Sequence, residues 1–150
     1  MLVFAIVRLA PVALEAYETR LDMLHWIVAA LVVVLMAYAE GYRGFQLRFS
    51  PRTAARVRYL RDRPGVLRSL LAPLFAMGFF QANRRTKTVA YAGTFGIVGL
   101  VLLVRVLGQP WRGIIDLGVV VGLTWGTVSL MLSIVTALTR NTYPVSPEVD

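Results

Sequence analysis

The stretch Leu117–Thr139, LGVVVGLTWGTVSLMLSIVTALT, runs for 23 residues without a charge. At a helical rise of 1.5 Å per residue it reaches roughly 35 Å. The hydrocarbon core of a bilayer is about 30 Å thick. In lipid such a segment must be a helix, because only intrahelical bonds satisfy its backbone N–H and C=O groups. Two further uncharged runs, Met23–Ala39 and Thr88–Val104, have 17 residues each. They reach roughly 26 Å and need their flanks to complete a crossing. Val106 and Leu107 extend the second past Arg105. The expected fold is all-α integral membrane, in one domain, with three transmembrane helices over about 23–40, 88–107 and 114–138; four is the alternative.

Composition agrees. Hydrophobic residues make up 57% of the 150 and charged residues 16%, against about 25% charged in soluble domains. There is no cysteine, which excludes disulfides, thiolate chemistry and Cys-ligated zinc or iron–sulfur centres.

Outward from the apolar runs, charge is concentrated in one place. Eleven of the sixteen basic residues lie between Arg43 and Lys87, with Asp62 as the single acid among them, so the block carries +10. The positive-inside tendency puts the segment 41–87 in the cytoplasm. The first helix then runs inward, the second outward and the third inward again. The tail 140–150 is cytoplasmic, kept extended by Pro144 and Pro147. The expected location is a bacterial inner membrane, crossed several times. Gly108–Gly113 (GQPWRG) reads as a tight external turn. Trp26 and Trp111 mark the outer interface, and Tyr38, Tyr42 and Tyr91 the inner one.

Ser69–Phe80 is apolar for only twelve residues, contains Pro73 and Gly78, and has basic residues on both sides. Crossing would place those clusters on opposite faces. The expectation is a re-entrant or interfacial segment, with a short fourth span as the alternative. Met1–Leu14 is apolar but interrupted by Arg8 and Pro11. It lacks the basic n-region of a signal peptide. An interfacial helix outside and a bent fourth span are both open readings.

The most specific motif is Gly118-xxx-Gly122-xxx-Gly126, continued by Ser129 and Ser133. Spacing of four puts these residues on one helix face, and small faces let helices approach closely in lipid. The second helix carries a comparable face in Ala92, Gly93, Gly96 and Gly99. The expectation is that these two faces meet within a hairpin; docking of a partner subunit is the alternative. Near the outer ends of the same helices, Arg105, Arg112 and Asp116 are expected to form a structural ion pair, Asp116 with Arg112 or with Arg105.

Ser50-Pro51 reads as a helix start, serine capping and proline at the first position. The basic helix that follows carries Arg52, Arg56, Arg58 and Arg61 above a narrow stripe of Thr53, Val57 and Leu60. With Arg84, Arg85 and Lys87 it is expected to meet anionic phospholipid headgroups, each contact worth about 1 kcal/mol. A nucleic-acid partner is not expected, since no nucleic-acid-binding fold can be built here. His25 is the lone histidine, so bis-His haem ligation is excluded and neither metal nor cofactor is expected. Neither a nucleophile–base pair, nor paired carboxylates, nor a phosphate loop is present.

The functional expectation is a non-enzymatic accessory or assembly subunit. Its partners would be phospholipids and other membrane subunits, homo-oligomers included. The alternative is an oligomeric channel or small transporter lined by Thr124, Thr127, Ser129 and Ser133.

Overall fold

The glycine stripe organises the molecule, though through a different neighbour than expected. The computed structural model describes residues 2–18, 21–79 and 81–148, all helical or irregular. Its elements are α1 (Leu2–Glu18), α2 (Met23–Met36), a π-helical segment (Ala37–Phe49), α3 (Ser50–Asp62), α4 (Val66–Leu70), α5 (Ala72–Ala76), α6 (Arg84–Arg105) and α7 (Trp111–Thr139). Three helices are long and apolar enough to cross a membrane: Met23–Asp62, Arg84–Arg105 and Trp111–Thr139.

α7 is the centre of the bundle. The α2–π–α3 helix packs along one side of it and α1 along another. A Cβ at Gly118 would lie 2.7 Å from Val32 Cγ1, and one at Gly122 would lie 3.1 Å from Glu40 Cβ; one at Gly126 would clash with the Phe45 ring. Gly41 answers from the other side, where a Cβ would sit 2.9 Å from Trp125 Cβ. The two backbones therefore approach as closely as missing side chains allow, which is how dispersion holds helices together in lipid.

The expected meeting of the α6 and α7 glycine faces is corrected. α6 touches α7 only slightly, and nothing lies within 4 Å of a Cβ at Gly93, Gly96 or Gly99. Every residue from 91 to 103 on α6 is exposed. The stripe marks a face able to pack closely; it carries no information about which helix it meets.

The first helix does not end near residue 40. It continues for 40 residues, to Asp62. Ser50 is in helical conformation (φ −61°, ψ −46°), and its N–H donates to Phe45 O in the π pattern. So Ser50-Pro51 does not begin a helix. The proline sits where i→i−5 bonding gives way to i→i−4, a junction that already interrupts the regular ladder. One consequence concerns Glu40 and Arg43. The contacts of Gly122 and Gly126 place residues 40–45 beside the uncharged run of α7, not beyond its end.

Residues 66–76 form two short helices, with Pro73 opening the second. α5 packs on α3 and buries Phe75 completely, while Leu67, Leu70 and Leu74 stay exposed. Gly78 turns the chain at φ +86°, a conformation that suits glycine. Phe80, the end of the expected dip, lies outside the described residues, as do Thr19, Arg20 and the last two residues of the tail. α1 is helical through Pro11 and is packed on α7, with Ala13 buried.

Candidate functional site

Two features concentrate chemistry: an arginine clamp at one end of the bundle and the surfaces its helices leave open. The clamp centres on Arg56, which is 2% exposed. Its Nε donates to Phe75 O at 2.6 Å, one terminal nitrogen to Pro147 O at 3.0 Å and Glu148 O at 3.3 Å, and the other to Gln81 O at 3.0 Å. The guanidinium carbon also lies 4.3 Å from the Phe75 ring centroid. A buried cation is tolerated when its donors are satisfied, and a planar fork can reach acceptors on three chain segments at once. Arg56 thus joins α3 to α5, to the approach to α6 and to the tail. Its expected place among headgroup-binding residues is corrected by its burial.

Arg58 and Arg61 do related work. Arg58 donates to Ala137 O, Arg140 O and Asn141 O, and Arg61 to Leu138 O. Ala137 O and Leu138 O belong to the last turn of α7, whose carbonyls lack intrahelical partners, and Arg140 and Asn141 follow it directly, so the basic helix caps the central one. Arg58 and Arg61 also pair with Asp62, at 3.5 and 2.8 Å. Arg52 lies 3.9 Å from the Glu148 carboxylate, which also accepts from the Thr86 hydroxyl. Arg84 and Arg85 are exposed and Lys87 half-buried. The seven basic residues therefore divide into a clamp (Arg52, Arg56, Arg58, Arg61) and a more open group at the start of α6, where Asn83 caps the helix through Thr86 N.

The tail is extended, but it is docked. Burial pushes the Tyr143 phenol above the usual tyrosine range, a rise that the neighbouring Ser133 hydroxyl partly opposes. Pro144 and Pro147 hold the tail out of helix, and the Pro147 and Glu148 carbonyls serve Arg56.

At the other end, Asp116 pairs with Arg112 at 3.7 Å and not with Arg105, which is exposed. Asp116 is 5% exposed, and its Oδ2 has no hydrogen-bond partner. His25 lies against Trp111, ring centroids 4.9 Å apart. Gln109 accepts from Gly113 N, capping α7, and donates to Val12 O on α1. Among the described residues no three His, Cys, Asp or Glu side chains group as a metal site.

An open cleft of about 680 Å³ runs along α7, lined by Val120, Thr124, Trp125, Ser129, Leu132 and Ser133 and closed on one side by Gln46 of the π-helical segment. Trp125 Nε1 donates to Gln46 Oε1 at 2.8 Å. Thr124 and Thr127 spend their hydroxyls on their own helix, donating to Val120 O and Leu123 O. Gln46 belongs to no motif, so no residue pattern marks its place beside α7. No family model, curated protein or solved structure matches the chain, so its surfaces carry the functional argument.

Proposed function

We propose that this chain is a non-enzymatic, multi-pass inner-membrane protein that acts as an accessory or assembly subunit, with the Arg-rich end in the cytoplasm against anionic headgroups. One observation carries the reading. α6 is a 22-residue apolar helix whose residues 91–103 are exposed all round and whose Gly93, Gly96 and Gly99 face open space. α7 spends its glycines inside the chain, so the small-residue face left for a partner is that of α6. Headgroup contact falls to Arg84, Arg85 and Lys87, with Leu67, Leu70 and Leu74 as an apolar neighbour on the same end of the bundle. The test is gentle detergent extraction from native membranes followed by identification of co-purifying proteins, with Gly96→Leu in parallel. A stoichiometric partner lost in Gly96→Leu supports docking through α6; the same partner retained at full occupancy sinks it.

The second reading, an oligomeric channel or small transporter, is favoured by the α7 cleft, where Gln46 joins Thr124, Ser129 and Ser133. It requires ion or solute flux in proteoliposomes, and absence of flux across varied gradients counts against it.

A further inference from the structure

We propose that the outer face of the π-helical segment, formed by Ala39, Arg43, Gly44 and the carboxylate end of Glu40, is the interface with a second copy of this chain, Glu40 of each copy pairing with Arg43 of the other. The inference does not rest on docking through α6. It begins with depth. Glu40 lies beside Gly122 and Phe45 beside Gly126, so Glu40 and Arg43 stand next to the uncharged run Leu117–Thr139. Thirteen residues of that run, about 20 Å of helix, lie between Gly126 and its end. Both charged residues are exposed. Of the four ion pairs among the described residues, none includes either. Ionisable groups at such positions face a protein partner or an aqueous cavity, and they pair.

Direction comes next. The segment meets α7 through Gly41, Phe45 and the Cβ of Glu40, which leaves Arg43 and Gly44 away from α7 and the Glu40 carboxylate at the edge of the contact. A Cβ at Gly44 would meet only Ala39 O at 3.2 Å and the Glu40 carboxylate at 3.9 Å, both from its own helix. The Glu40 carboxylate therefore reaches along the outer face to the level of Gly44. Copies of one chain insert in the same orientation, so a two-fold axis along the membrane normal sets like levels side by side. In that arrangement the Glu40 carboxylate of one copy stands level with Arg43 of the other. The symmetry makes the contact self-complementary and forms the pair twice. Ala39 and Gly44 supply the small surface that lets two helices approach.

The experiment measures oligomeric state of the full chain in lipid nanodiscs and mild detergent by native mass spectrometry. Wild type is expected to be dimeric. Glu40→Arg or Arg43→Glu alone should raise the dimer dissociation constant at least ten-fold, and the double reversal E40R/R43E should restore it. Gly96→Leu should leave the dimer intact, which separates this interface from docking through α6. Should a reversal prevent folding, Glu40→Gln with thermal stability recorded alongside tests the same pair: weaker dimer at unchanged monomer stability supports it. A wild type monomeric at micromolar concentration, a double reversal no better than the single ones, or Glu40→Gln with an undiminished dimer overturns the proposal. Capture of a different protein on this face, with no self-association, overturns it as well.

Discussion

At the residue scale, Arg56 shows how a single cation can substitute for a hydrophobic core. Its fork ends on four main-chain carbonyls from α5, from residue 81 and from the tail. A charged donor makes each bond stronger than a neutral one, and removing the donor strands buried acceptors. Arg56→Met should therefore lower unfolding free energy by about 3 kcal/mol or more, the range seen when one side of a buried charged cluster is removed. Arg56→Lys should recover little, because one ammonium cannot reach the same acceptors. Denaturation midpoints in a fixed detergent check both. Tyr143 gives the tail a pH dependence. Its folded pKa is raised above the ordinary value near 10, so the folded state prefers the neutral phenol. The docking it contributes is present below pH 10 and is lost as pH rises through the folded pKa. Proteolytic clipping of the tail should accelerate above pH 10 in wild type, and that acceleration should be absent in Tyr143→Phe.

At the element scale, two glycine faces that look alike in sequence have different duties. On α7 the stripe is filled by Val32, Glu40 and Phe45; on α6 it is open. Gly126→Leu should force the helices apart and destabilise the monomer by about 1–3 kcal/mol, the usual cost of overpacking. Gly96→Ala should leave the monomer unchanged or up to about 1 kcal/mol more stable, since alanine is the better helix former. Circular dichroism melts in detergent distinguish the two. The apolar runs were legible because span length follows from a count of uncharged residues. The pairing of faces was not, because a GxxxG pattern describes one surface and says nothing of its neighbour. The π-helical segment was equally hidden. Nothing in the pattern of residues 37–49 marks it, and only contact with Trp125 shows why Gly41 must lack a side chain. Arg56 was misjudged for a related reason: its partners are backbone carbonyls, which every residue carries and no motif records.

At the scale of the whole molecule, the hydrogen bonds sort the chain into two ends before any charge is considered. Arg56, Arg58 and Arg61 tie α3, α5, residue 81, the last turn of α7 and the tail into one end. His25 against Trp111, and Gln109 bonded to Val12 O, gather the start of α2, α1 and the turn before α7 at the other. In a bundle that crosses the membrane as proposed, residues 66–79 and the tail share a side, and the turn near Gly108 lies opposite. Under the proposed function, the +10 block puts the clamped end in the cytoplasm through the positive-inside tendency. Because the chain has no cysteine, single substitutions report accessibility without background. Gly108→Cys, where an added side chain meets open space, should react with a membrane-impermeant maleimide in intact cells. Ser69→Cys and Asn141→Cys, both exposed at the clamped end, should react only after lysis. Labelling of Ser69→Cys from outside while Asn141→Cys stays protected would mean that 66–79 crosses the membrane, and it would break the two-ended arrangement that Arg56 imposes. Labelling of both from outside, with Gly108→Cys protected, would keep that arrangement and reverse only the sidedness argued from charge.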